Sequence, residues 1–150
     1  MTASRPRRSG RRGAEIIEFA LILPLLLTML LGIIEYGLMF SQMLSVQSAT
    51  RDAARWAATP GVPFDEAEEQ AILQLREGLE LQGLSCTEAQ QSAGECELDA
   101  TLDLVEGYTV VVVQTRLDYT SAAAGLLPVP DQLASSSAFM LNNQPPVVPP

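Results

Sequence analysis

Histidine and lysine are both absent from this chain of 150 residues, and aromatic residues make up only 5% of it. Without histidine, the chain has no imidazole for general-base catalysis or for metal binding. The two cysteines, Cys86 and Cys96, are too few for a four-cysteine zinc site or a disulfide-rich scaffold. We therefore expect no metal site and no cofactor.

The nine positive charges are unevenly distributed along the chain. All are arginines, and five of them lie before Gly13: Arg5, Arg7, Arg8, Arg11 and Arg12. All eighteen acidic residues follow Gly13, so a basic leader precedes a strongly acidic body. Nucleic-acid binding needs clustered cations, which the body lacks. We expect no nucleic-acid partner.

A long apolar stretch, FALILPLLLTMLLGII, runs without charge from Phe19 to Ile34. As a helix it rises about 24 Å, and the residues on either side extend it to the roughly 30 Å of a hydrocarbon layer. The sequence predicts a transmembrane helix at 14–40, in contact with the lipid bilayer, after a cytoplasmic leader at 1–13. Glu35 is predicted to lie at the far interface, with Tyr36 in the aromatic belt. A secretory signal peptide is disfavoured, because 36–48 contains no suitable cleavage site.

The orientation follows from the arginines, which remain in the cytoplasm. We expect a single-pass protein of the cytoplasmic (inner) membrane with its C-terminal domain outside. Pro24 is predicted to kink the membrane helix, because its ring clashes with the preceding turn. The helix is predicted to continue over 41–59 as a rod with little to bury against in its own small domain. Its amphipathic stripe, at three- and four-residue spacing, comprises Met39, Met43, Val46, Ala49, Ala53 and Trp56.

Residues 60–142 are predicted to form a small α+β domain, with the long helix on a short antiparallel sheet. A second helix is expected at 64–80, with Asp65 as a possible N-cap, and a polar loop at 81–97. Alternation predicts strands near 98–104 and 108–119, joined by a turn at Glu106-Gly107. A loop is expected at 121–130, a third strand at 132–142, and a flexible proline-rich tail at 143–150.

Cys86 and Cys96 lie in the predicted loop. In an oxidising exterior they are expected to form a disulfide that contributes about 2–3 kcal/mol. A reactive cysteine pair is the alternative, although no cation flanks either residue to stabilise a thiolate.

The junction between leader and apolar helix points to processing. Gly13 offers a protease an unhindered peptide, and cleavage there would leave Ala14 as the new N-terminus. Burying the carboxylate of Glu18 in lipid costs several kcal/mol, more than the helix dipole returns. The amine of a neighbouring subunit is a suitable partner, which would make Glu18 a register key for subunit addition. Alternatively, Glu18 is an ordinary interfacial glutamate that reaches the headgroups.

The motifs at residues 13–58 resemble, in their order, those of a known family. Gly13, followed after four residues by Glu18-Phe19, resembles the processing motif of type IV prepilins, particularly the Flp/Tad (tight adherence) branch. Three stretches are similar to the TadE-like pseudopilin family: Gly13-Ala14-Glu15-Ile16-Ile17-Glu18-Phe19-Ala20-Leu21-Ile22-Leu23-Pro24, Gly32-Ile33-Ile34-Glu35-Tyr36-Gly37 and Ala49-Thr50-Arg51-Asp52-Ala53-Ala54-Arg55.

The resemblance implies a minor pilin-like subunit of a Tad-type pilus, cleaved after Gly13 by prepilin peptidase, with recognition through Glu18 and Phe19. Its implied partners are other pilin and pseudopilin subunits and the inner-membrane pilus assembly platform. The location then includes an extracellular pilus. A membrane-anchored binding or assembly-regulating protein that enters no filament is the alternative. An enzyme is not expected, because the sequence has no nucleophile elbow and no phosphate loop.

Overall fold

The computed structural model describes residues 10–121 and 128–141. The predictions for 1–9, for most of the 121–130 loop and for the 143–150 tail lie outside these residues. The elements, in chain order, are α1 (Gly10–Ala57), α2 (Ala67–Leu81), α3 (Glu88–Ala93), β1 (Cys96–Val105), β2 (Tyr108–Asp118) and β3 (Gln132–Met140). A long apolar helix followed by a small domain with a three-stranded antiparallel sheet confirms the predicted α+β class.

The sheet is a simple meander in the order β1-β2-β3. β1 and β2 form the predicted hairpin, in which Val105 pairs with Tyr108. Its two-residue turn has φ of 53° at Glu106 and 85° at Gly107. Positive φ at both central residues is what a tight hairpin turn requires, and glycine adopts it without strain.

The two faces of the sheet differ in chemistry. Side chains alternate between faces, and those of the inner face are mainly apolar and buried, among them Leu98, Val111, Val113, Leu117 and Leu133. The outer face carries exposed polar residues, among them Glu97, Asp99, Gln114, Arg116 and Ser136. On the sheet, α1 packs against β3 and β2 and α2 mainly against β1, and the two helices also pack closely against each other. The core therefore lies between one layer of helices and one layer of strands.

The C-terminal half of α1 is a central part of this core, contrary to the prediction that the helix has little to bury against. Small residues on one stripe bring it close to its neighbours: Ala49, Ala53, Ala54 and Ala57 are each at most 3% exposed. A Cβ added at Gly78 of α2 would lie 3.4 Å from the Cβ of Ala49. Trp56 was predicted on the buried stripe, but it lies on the flank of the helix and is 50% exposed.

The segment between α1 and β1 departs from prediction at two points. Asp65 is not an N-cap, because a single 3-10 turn at Phe64–Glu66 follows Pro63 and α2 begins only at Ala67. The predicted loop also contains α3, whose Thr87 and Gln90 form a capping box. Gly94, in the left-handed conformation, ends that helix. The T-x-x-Q spacing followed by glycine was the sequence signal for α3.

Cys86 and Cys96 form a disulfide, with an S–S distance of 1.98 Å. It joins the segment before α3 to the first residue of β1, and both residues are buried. The bridge thus fixes α3 against the end of the sheet.

Candidate functional site

α1 consists of two halves with opposite surroundings. From 13 to 34, every residue except the half-buried Gly32 is exposed, whereas buried residues begin at Glu35. This bare half is about 33 Å long, which matches a bilayer's hydrocarbon layer. Among the described residues, α1 is the one helix that is long and apolar enough to cross a membrane. The bare half carries all the predicted processing and assembly residues.

Gly13 and Ala14 lie in the first turns of the described helix and are exposed. A Cβ added at Gly13 would meet nothing within 4 Å, and Gly13 is not among the residues with positive φ. Glycine disfavours helix by about 1 kcal/mol relative to alanine, so the helix opens more easily there. Gly13 is therefore accessible to a protease, and a side chain there would not disturb the fold.

Glu18 lies five residues beyond Gly13, about 8 Å along the helix axis. Its neighbours Ile17 and Phe19 are 65% and 62% exposed. No hydrogen bond or ion pair joins Glu18 to another described residue within 10–121 and 128–141. The domain provides no counter-ion for this carboxylate, so any such partner has to come from outside the described chain.

Pro24 lies within α1, and the helix is unbroken across it. The hydroxyl of Thr28 donates to the Pro24 carbonyl oxygen at 2.8 Å. The kink at Pro24 stays a prediction.

Glu35 is not the interfacial glutamate that the sequence predicted. It is only 2% exposed, and its carboxylate accepts a hydrogen bond from the hydroxyl of Tyr119 at 3.0 Å. The neighbouring Tyr36 donates its hydroxyl to the carbonyl of Pro128 at 2.8 Å. Both contacts join α1 to the segments that flank the β2–β3 connection. Sequence reasoning missed them because the partners lie 84 and 92 residues away.

The Glu35 contact also affects the acidity of Tyr119. Partial burial, the hydrogen bond to Glu35 and the negative charge of that carboxylate, in this order of importance, raise the pKa of Tyr119 above its ordinary value of 10.0. The neutral phenol, which is the hydrogen-bond donor, is therefore the stable form at physiological pH.

The Ala49-to-Arg55 stretch separates into a buried and an exposed set. Ala49, Thr50, Ala53 and Ala54 are buried, whereas Arg51, Asp52 and Arg55 are exposed. The Thr50 hydroxyl lies 2.8 Å from that of Thr115 on β2, and it donates to the Val46 carbonyl at 2.7 Å. The small residues of the motif thus serve close packing of α1 on the sheet and on α2.

A comparison with protein-family models found a match in this same region. Residues 13–55 match the family model described as TadE-like protein. Over these residues the chain is similar to TadE-like proteins. The match confirms the resemblance seen in the sequence, and it covers both the bare half of α1 and most of the half that packs on the domain. It associates the chain with Tad pilus systems. No curated protein and no solved structure matches the chain significantly.

Proposed function

We propose that the TadE-like chain is a minor pilin or pseudopilin of a Tad-type pilus, matured by prepilin peptidase after Gly13. It acts in pilus assembly through packing of its N-terminal helix. The observation that carries the proposal is the charge of Glu18, which no described residue pairs, on the bare and mainly apolar half of α1. The opposite half is already occupied by the chain's own domain, so the bare half is the part left for other subunits.

Energetics favour a partner for Glu18. A carboxylate in the membrane interior costs about 3 kcal/mol on insertion scales, whereas a helix N-terminus returns about 0.3–1 kcal/mol. The new amine of Ala14 on a neighbouring subunit would supply the missing positive charge. Pairing of the two groups would set the axial position of one subunit relative to the next.

The proposed partners are prepilin peptidase, other pilin and pseudopilin subunits, the inner-membrane assembly platform and the lipid bilayer. The proposed location is the cytoplasmic membrane, with the leader inside and the α+β domain outside, and a pilus after assembly. This role is structural, and it assigns no catalysis to the chain.

Substitution of Gly13 by valine tests the proposal. The structure leaves open space at Gly13 and equally at Gly37, so Gly37→Val is a matched control on the same helix. We expect the wild-type chain and the control to begin at Ala14, and Gly13→Val to retain its leader, as measured by mass spectrometry of the membrane-fraction protein. A wild-type chain that keeps Met1 would reject the proposal and favour an anchored binding or assembly-regulating protein outside any filament.

A further inference from the structure

The two edges of the sheet are protected to different degrees. On either side of β3, Asp131 and Leu141 bond toward β2: Tyr119 N–H donates to the Asp131 carbonyl at 2.7 Å, and Leu141 N–H donates to the Thr109 carbonyl at 2.9 Å. Because hydrogen-bonded pairs alternate along an antiparallel ladder, the even-numbered residues of β3 direct their backbone groups away from β2. By the same alternation, the even-numbered residues of β1 direct their backbone groups away from β2, toward the opposite edge of the sheet.

The β1 edge is capped by side chains. The carboxylate of Glu68 on α2 accepts from the Leu102 N–H at 2.9 Å, and the side-chain amide of Gln91 on α3 donates to the Leu98 carbonyl at 3.2 Å. Exposed acids along the strand, Glu97, Asp99 and Asp103, add charge to it. Charged side chains and covering elements are how natural sheets prevent another strand from adding to an edge.

Among the described residues, nothing gives the β3 edge comparable protection. The residues whose backbone groups point away from β2 all have exposed side chains, and none of them is charged or proline. They are Gln132, Ala134, Ser136, Ala138 and Met140. Within residues 10–121 and 128–141, no hydrogen bond reaches their outward backbone groups. The strand is nine residues long, about 30 Å of open ladder. Such an edge is a template for a further strand.

We propose that the β3 edge binds an extended, basic segment of a different protein, which adds to the sheet as a fourth strand. The charge of the body favours a basic segment, because four arginines oppose eighteen acids after Gly13. Two of these acids, Asp118 and Asp131, lie at the end of the edge marked by Gln132, whose side-chain amide donates to Asp118 at 3.1 Å. Small side chains at Ala134, Ser136 and Ala138 leave room for larger ones on the incoming strand.

A second copy of the chain fits this edge poorly. Antiparallel pairing of two β3 strands would point the two bare halves of α1 in opposite directions, which is incompatible with anchoring in one membrane. Two copies with the same orientation in the membrane would pair β1 of one copy with β3 of the other. Glu68 and Gln91 already bond to the β1 edge. Parallel pairing of two β3 edges would bring two equally acidic bodies together, so charge favours a different chain as the partner. This inference does not depend on cleavage after Gly13.

Amide hydrogen exchange of the full chain in lipid nanodiscs tests the proposal with defined peptides. The probe has the nine-residue length of β3 and alternates lysine with valine and threonine. The control peptide carries glutamate in place of lysine. We expect the basic peptide to slow exchange at the outward amides of β3 by at least about tenfold, with no change at Leu98, Ala100 and Leu102 of β1.

Two variants at one position separate backbone pairing from side-chain effects. Ser136→Pro removes an outward N–H without removing a bond to β2 and should abolish peptide protection, whereas Ser136→Val keeps the N–H and should retain protection. If Ser136→Pro loses the protection of β2 and so does not fold, the wild-type experiment decides alone. Absence of protection, protection of β1 instead, equal binding of the acidic peptide, or concentration-dependent protection without peptide would overturn the proposal.

Discussion

The hydroxyl of Tyr119 donates a hydrogen bond to the carboxylate of Glu35 across 84 residues of sequence, and it does so where α1 leaves the domain. Glu35 begins the buried half of the helix, and Tyr119 directly follows β2. Together with the Tyr36–Pro128 contact, this bond fixes the base of the domain to the helix. The direction in which the bare half of α1 projects is thereby coupled to the sheet.

The Tyr119–Glu35 bond predicts a dependence of stability on alkaline pH. The folded state holds the Tyr119 proton more tightly than the unfolded state, because the pKa of Tyr119 is raised above 10.0. Its contribution should be complete below pH 10.0 and decline as pH rises from there through the raised pKa. Tyr119→Phe should remove this component of the decline. Thermal unfolding in detergent at several pH values measures it.

A matched control exists for this substitution. The Tyr108 side chain is 61% exposed and its hydroxyl bonds to no described residue, so Tyr108→Phe removes a tyrosine hydroxyl without removing a hydrogen bond. Glu35→Gln should lower the pKa of Tyr119 only in part, because burial is the largest cause of the shift. Identical tyrosinate absorbance titrations for wild type and Tyr119→Phe, after allowing for one tyrosine fewer, would contradict a raised pKa.

The sequence predicts much of this fold because its signals are local. The uncharged run at 19–34, the β-branched stretch at 108–118 and the Glu106-Gly107 turn each carry their own periodicity or turn chemistry. The helix, the hairpin and the α+β class follow from them. The candidate processing residues also follow from local order, since Gly13 and Glu18 are close in sequence.

What escaped prediction depends on contacts between distant residues. Nothing near Glu35 in sequence indicates that Tyr119 buries its carboxylate, so an interfacial position was the natural expectation. Trp56 has helical spacing from the buried alanines, but the width of the buried stripe is set by where α2 lies. The unequal protection of the sheet edges likewise depends on Glu68 and Gln91, which lie 34 and 7 residues from the groups they bond.

The buried hydroxyl pair Thr50–Thr115 predicts non-additive stability. Thr50→Val leaves the hydroxyl of Thr115, which is 2% exposed, without its partner at 2.8 Å. We expect a loss of about 1–3 kcal/mol, and less for the double variant with Thr115→Val, because no buried hydroxyl is then unpaired. Thr59→Val is the control, since Thr59 makes a similar bond to its own helix but is exposed. Chemical denaturation measures each; strictly additive losses would show that the two hydroxyls are not coupled.

The disulfide predicts a stability difference between oxidised and reduced protein. Cys86 and Cys96 are 10 residues apart, and closing a loop of this size stabilises by about 2–3 kcal/mol through the unfolded chain. Cys86→Ser with Cys96→Ser should lower the unfolding free energy by this amount. Reductant should destabilise the wild-type protein and leave the unfolding transition of the variant unchanged. Thiol labelling of unfolded wild-type protein without reductant should find no free thiol; quantitative labelling of both cysteines would exclude the bridge.

Glu18 predicts a separation of processing from assembly. Glu18→Gln keeps the size of the side chain and removes its charge, so the variant should still be cleaved after Gly13 but lose the proposed ion pair with a neighbour's Ala14. Loss of about 1.4 kcal/mol per contact corresponds to tenfold weaker association, so we expect at least about tenfold less protein in sheared pili relative to membranes. Glu15→Gln removes another exposed carboxylate from the same helix and should assemble normally. If Glu18→Gln is incorporated into pili normally, the charge of Glu18 does not set the register between subunits. That result would still be compatible with cleavage after Gly13.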